Sequence, residues 1–167
     1  MKKASILFIF PLLCLASLSC KDNKRSSAIF DFAGELTPEQ KFRLDSVYAS
    51  HEKNTTNEIA LVTTHDYSPD TSILFYSVSM GRKLGIGKKE KDNGVLIVFN
   101  NQMKQTMIAT GYGTEKVLTD QVAKTIIDSI MIPNFKKGKN FEGLWEGSLA
   151  IVEFLERPEN KIPVKKE

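Results

Sequence analysis

Two short apolar runs limit what this chain can fold into more than anything else in it. Residues Glu58–Thr64 read EIALVTT and Val95–Phe99 read VLIVF, nearly continuous and rich in β-branched side chains. Runs of this length and composition describe strands buried on both faces, the pattern of a parallel sheet rather than of a half-exposed antiparallel one. Between them lies helix-compatible sequence from about Thr71 to Leu84, so the two strands are expected to pair in parallel through a right-handed crossover. Asn100-Asn101-Gln102-Met103 then makes a turn, and Lys104–Thr110 returns as an antiparallel hairpin strand.

Helices fill the remainder. Thr37-Pro38-Glu39-Gln40 offers a hydroxyl at the N-cap, proline at the first helical position and glutamine at the third, followed by an apolar stripe at Leu44, Val47, Tyr48 and His51. Thr119 caps a further helix with Val122, Ala123, Ile126, Ile127 and Ile130 on one face, and Pro133 is expected to interrupt it. A last helix is expected from about Phe141 to Leu155, with Leu144, Trp145, Leu149 and Val152 inward. Helices before, between and after the strands cover both faces of a small mixed sheet, which makes the fold class α/β: a three-layer α/β/α sandwich with parallel central strands plus an antiparallel hairpin strand.

The chain of 167 residues accommodates one such domain, expected over 29–157. Ahead of it, Lys2 and Lys3 precede an apolar run, Ile6–Leu18, that stops at Ser19 and Cys20. The run is shorter than the ~20 residues of a membrane-spanning helix and has the charged head and small-residue exit of an export signal, expected to cover residues 1–19. LASLSC resembles the lipobox of bacterial lipoproteins, which makes Cys20 the expected lipidated first residue of the mature chain. No cysteine follows it, so the mature chain has no pair for an intrachain disulfide. Residues 20–28 then read as a flexible tether and 158–167 as a disordered tail. The expected location is the bacterial cell envelope, lipid-anchored to a membrane and facing the periplasm or exterior. Of 23 basic and 20 acidic residues, removal of Lys2 and Lys3 leaves 21 against 20, so the basic pI carries no argument for nucleic acid.

The chemistry-bearing residues crowd into Lys91–Asp120. Just before them, Gly81–Lys89 imitates a phosphate loop but has five residues between Gly81 and Gly87 where the motif has four, carries Lys89 in place of Ser or Thr, and follows a helix instead of a strand. There is no Gly-x-Ser-x-Gly elbow, and His51 and His65 are the only histidines, so no zinc signature exists. Antiparallel geometry places Asp92 and Asn93, entering one strand, at the same end of the sheet as Glu115, which follows the other. Asp120 stands in the first turn of a helix, where the dipole favours a carboxylate. Gly111 and Gly113 are expected to permit positive backbone angles at the strand exit, and Tyr112 to wall any ligand site beside them.

DFAGELTPEQ, EIALVTT, GIGKKEKDNGVLIVF, IATGYGTEKVLTD and IPNF followed by KKGKNFEGL together resemble the TPM domain, a family of bacterial envelope proteins and of a thylakoid-lumen protein tied to photosystem II repair. The resemblance runs from about Ile29 to Leu155. It implies an α/β/α domain, an acidic cluster in loops at one end of the sheet, divalent-cation binding (calcium foremost, magnesium as the other candidate) and, for plant members, acid phosphatase activity. Matched residue by residue, it implies Asp31, Asp92, Asn93, Glu115 and Asp120 as cation ligands, with Gly111, Tyr112 and Gly113 as the wall. Asn93 stands where the family usually has an acid, and its amide oxygen still suits a hard cation. The resulting expectation is a monomeric, membrane-anchored module that binds a cation and supports a membrane-protein partner. The alternative is a metal-assisted phosphomonoesterase in which Asp92 is the candidate catalytic carboxylate.

Overall fold

The computed structural model describes residues 27–162, so the export signal, Cys20, most of the tether and the last five residues of the tail lie outside it. Four strands make one sheet in the order β1 (Ile29–Asp31), β2 (Glu58–Thr63), β3 (Gly94–Asn100) and β4 (Gln105–Thr110). β1, β2 and β3 are parallel and β4 returns antiparallel. Every residue of β3 is buried, as its unbroken apolar sequence requires of the central strand. β1 was not anticipated as a strand. Its three residues are too few to show a period, and they become a strand because β2 supplies the ladder.

Alternation along the strands divides the side chains between two faces. Leu61, Ile97 and Ile108 share one face with Asp31 and Phe99; Ala60, Leu96 and Ala109 share the other. Helix α1 (Pro38–Thr55) lies on the first face, where Lys41 reaches Asp31. So does the C-terminal helical array, whose Phe135 ring meets that of Phe99 at 4.8 Å. Helix α2 (Ile73–Leu84) lies on the second, with Gly81 against Leu96. The strands step across the sheet in one direction while α1 and α2 take opposite faces, so the two crossovers have opposite hands and only one is right-handed.

The capping box forms as its sequence specifies: Thr37 accepts from the Gln40 amide and Gln40 from the Thr37 amide. α1 clasps α5 (Asn140–Glu156) through Tyr48 and Ser148, 2.7 Å apart in the core, and through His51, which is 1% exposed with Nδ1 3.1 Å from Glu156. Pro133 does not end its helix. α3 (Asp120–Ile126) widens into a π turn at Ile127–Met131 and continues as α4 (Ile132–Lys136), with the proline at the start of α4. The wider turn absorbs the missing proline amide that would break a regular α-helix. Gly143 and Gly147 let this segment approach α5 closely, since a Cβ at either would strike the Phe135 ring or the Met131 side chain. Leu149, expected inward, is 38% exposed, because α5 turns its buried stripe through Leu144, Ser148, Ile151 and Leu155 instead.

Both ends of the described segment are held beyond the expected domain limits. Asp45 accepts from Ser27 Oγ and from the Ala28 amide, and Asn160 in the 3₁₀ turn Pro158–Asn160 donates to the Phe154 carbonyl. No described helix is long and apolar enough to cross a membrane.

Candidate functional site

The five oxygen-bearing residues implied as ligands do not come together. Asp31 pairs with Thr63 and Thr63 with Phe99, whereas Glu58 pairs with Gly94, immediately after Asp92 and Asn93. Five strand positions therefore separate Asp31 from the Asp92 end, about 16 Å at the rise of a strand. Among the described residues no three of His, Cys, Asp and Glu gather as a metal-holding group.

Asp31 is occupied by the fold. Its side chain, 1% exposed, accepts from the amides of Glu35 and Leu36 at 2.9 and 3.3 Å, from Thr63 Oγ1 at 2.5 Å and from Lys41 Nζ at 2.7 Å. Burial pushes its pKa up, and donation from Lys41, Thr63 and the two amides more than offsets this, leaving it below the ordinary carboxylate value. The carboxylate thereby shapes the turn from β1 into α1 at the C-terminal end of the parallel strands.

Asn93 is equally committed, at the other end. It is fully buried; its Oδ1 accepts from the Lys88 amide at 2.9 Å, and its Nδ2 donates to the Thr56 carbonyl at 2.8 Å and to Asn57 Oδ1 at 3.1 Å. It ties together three segments: the turn after α1, the loop after α2 and the entry to β3. Asp31 has two donors on each carboxylate oxygen, and Asn93 is fully buried with its Oδ1 turned to the Lys88 amide, so both side chains are used by the fold.

What remains at the Asn93 end is a junction of two backbones. The amides of Gly113 and Thr114 donate to the Asp92 carbonyl at 3.0 and 3.4 Å, and Gly111 donates to Gly94 at 2.9 Å. Asp92 and Glu115 thus flank one shared set of hydrogen bonds. Gly111 and Gly113 are needed for closeness, not for positive φ, which neither adopts. A Cβ at Gly111 would lie 2.3 Å from the Asp92 oxygen and one at Gly113 1.9 Å from that of Lys91. Asp92 itself takes a positive φ of 48°, and Tyr112 between the glycines is 74% exposed. The hydroxyl of Thr114, fully buried here, has no hydrogen-bond partner. Spacing alone gave no sign of that atom. Asp120 stands in the first turn of α3, behind its N-cap Thr119, where the helix start accounts for it.

Two lysines beside the junction, Lys88 and Lys91, are also engaged. Lys88 Nζ bonds Glu52 at 2.9 Å and Glu58 at 2.6 Å, and donation to these two acids raises its pKa above the usual lysine value. Lys91 Nζ donates to Thr56 Oγ1 at 2.7 Å.

Compared with known proteins, the chain matches the family model of the TPM domain over residues 29–154. Among solved structures, the N-terminal domain of a P. gingivalis protein is 28% identical, with a TM-score of 0.73 over 84% of this chain and 88% of that one. A protein of the psychrophilic bacterium Bizionia argentinensis is 23% identical, with a TM-score of 0.64 over 81% of this chain and 89% of its own. The N-terminal domain of a Corynebacterium glutamicum protein shares the fold at 9% identity, with a TM-score of 0.62 over 81% and 84% of the two chains. No curated protein matches the chain.

Proposed function

The chain belongs to the TPM domain family, and from that premise we propose that it is a non-catalytic, lipid-anchored binding module of the bacterial cell envelope. In this reading Cys20 carries the anchor, the junction of Asp92 with Glu115 takes a divalent cation such as calcium, and the domain supports a membrane-associated partner. The observation that carries the cation reading is the junction itself: the Asp92 carbonyl accepts from the amides of Gly113 and Thr114, the residue just before Glu115, and the buried hydroxyl of Thr114 has no hydrogen-bond partner. Hard cations are held by oxygen atoms of carboxylates, carbonyls and hydroxyls, completed by water. Asp31 and Asn93 have no part in this reduced site, which makes it a weak one.

Metal-assisted phosphomonoester hydrolysis has less support. A phosphate needs cationic donors aimed at it, and Lys88 and Lys91, in the loop that leads to Asp92, are bonded to Glu52, Glu58 and Thr56.

Calcium titration followed by thermal unfolding tests the site. A ligand of the native state adds RT ln(1 + [L]/Kd), about 1.4 kcal/mol at tenfold excess over Kd. Stabilisation by calcium that disappears in Glu115→Gln and survives in Asp31→Asn is the expected result. No stabilisation up to about 10 mM calcium, a concentration well above those of extracellular sites, overturns the cation reading. The anchor is checked separately, by detergent-phase partition of the mature chain and its loss in Cys20→Ser.

A further inference from the structure

The contacts of Ser27 and Ala28 fix where the preceding chain enters the domain. Ser27 Oγ and the Ala28 amide donate to Asp45 on α1, at 3.2 and 2.8 Å. Phe42 lies one turn before Asp45 on that helix and is 73% exposed. A second exposed ring belongs to the same region. Phe32, 60% exposed, follows Asp31, and Asp31 is bridged at 2.7 Å to Lys41, the neighbour of Phe42. The two rings therefore sit on the two segments that this ion pair joins, beside β1, an edge strand of the sheet. The tether from Cys20 to Ser27 has seven peptide steps and reaches no more than about 25 Å.

We propose that Phe32 and Phe42 dock the domain on the lipid surface to which Cys20 holds it, as a second, non-covalent contact with the bilayer. The inference rests on the anchor reading and deepens it by assigning the face that meets lipid. The length of the tether carries it. A domain of this size is about 35 Å across, so a tether shorter than that keeps the side bearing Ser27 next to the membrane. Tethering also makes a weak contact sufficient. A short linker holds the rings at an effective concentration in the millimolar range, where a contact of millimolar dissociation constant is occupied about half the time. Phenylalanine on an interfacial element settles at the boundary of headgroups and acyl chains. Lys21, Lys24 and Arg25 outnumber Asp22 in the tether, and basic residues beside a bilayer are drawn to anionic lipids. The two carboxylates within the patch are engaged, Asp31 by Lys41 and Asp45 by Ser27 and Ala28. Helix α2 packs on the other face of the sheet, over β3 and β4 and away from β1, so its outer side is turned from the lipid.

The test uses the isotope-labelled mature chain from Cys20 to Glu167, in which Cys20 is the only thiol. That thiol is coupled to a maleimide phospholipid in nanodiscs of phosphatidylethanolamine and phosphatidylglycerol that also hold a lipid with a nitroxide-labelled headgroup. The expected result is that the amide resonances of Phe32, Lys41 and Phe42 lose intensity to the nitroxide while those of Val78 and Arg82 on α2 keep theirs. The Phe32→Ser, Phe42→Ser double variant, changed only at exposed positions, loses this difference between faces with an unchanged thermal midpoint. Equal loss on every face overturns the proposal and leaves the rings to a protein partner. Loss centred on α2 or on Tyr112, or a pattern that the double variant preserves, overturns it as well. So do concentration-dependent shifts of the Phe32 and Phe42 amides without nanodiscs, which assign the rings to a second copy. Because the lipid is attached chemically, the two readings fail separately. Absence of detergent-phase partition of the cellular protein removes the natural anchor, whereas an even loss of signal in the nanodisc removes the docking face.

Discussion

At the scale of single residues, the same side-chain chemistry serves structure and function here, and only hydrogen-bond partners distinguish the two. Asn93 illustrates this. Where the family pattern usually has an acid, this chain has an amide whose Nδ2 faces two acceptors, the Thr56 carbonyl and Asn57 Oδ1. Asn93→Asp would set a carboxylate oxygen against both in a fully buried position, so the expected outcome is a loss of about 3 kcal/mol or more in denaturant unfolding. Unchanged stability would show that the amide is no knot. Asp31→Asn removes the anion that Lys41 and the Glu35 and Leu36 amides bind. A cost of about 2–3 kcal/mol is expected, with the calcium response of the protein unaltered. That both positions carry side-chain oxygens was legible in sequence, but not that those oxygens already accept hydrogen bonds within the fold.

Among elements, the hairpin and its exit loop were the most readable and the joint between helices the least. An unbroken apolar run followed by a turn rich in asparagine pointed to β3–β4, and the register places Val95 opposite Thr110. The exit loop is held by closeness. Gly113→Ala would drive a Cβ into the Lys91 oxygen, which belongs to backbone and cannot swing aside. A loss of roughly 3 kcal/mol is expected, together with displaced amide resonances from Lys91 to Glu115. Wild-type stability and spectrum would refute the close approach. By local rules Pro133 is a helix breaker, because those rules count only the lost amide. The π turn that accommodates it forms where Gly143 and Gly147 let α5 come near, a long-range circumstance.

For the whole molecule, α1 and α5 clasp across residues about a hundred positions apart, and that clasp sets the response to acid. Burial lowers the pKa of His51, and its bond to Glu156 only partly reverses the effect. A depressed imidazole pKa means the unfolded chain binds the proton first. This contribution to stability is therefore complete above the unfolded value near 6.5 and is lost as pH falls toward the folded value. Asp31, also depressed, adds a second loss below its ordinary value near 3.8. Urea unfolding between pH 7 and 5 should show stability falling with pH in the wild type and a flatter slope in His51→Gln; equal slopes would remove His51 from the account.

By itself the sequence determined the class of fold, the parallel pairing of the two apolar runs, the capped start of α1 and the family pattern, because all of these are written in local periodicity and spacing. Tertiary structure alone decided which face each helix covers, that Asp31 lies about 16 Å from the Asp92 end, and that Asn93 spends its amide on the core while Asp92 and Glu115 share a junction. The reason is physical. Which residues alternate or repeat along the chain depends on neighbours a few positions away, whereas where a carboxylate ends and which donors fill it depend on segments that meet only after the chain has folded.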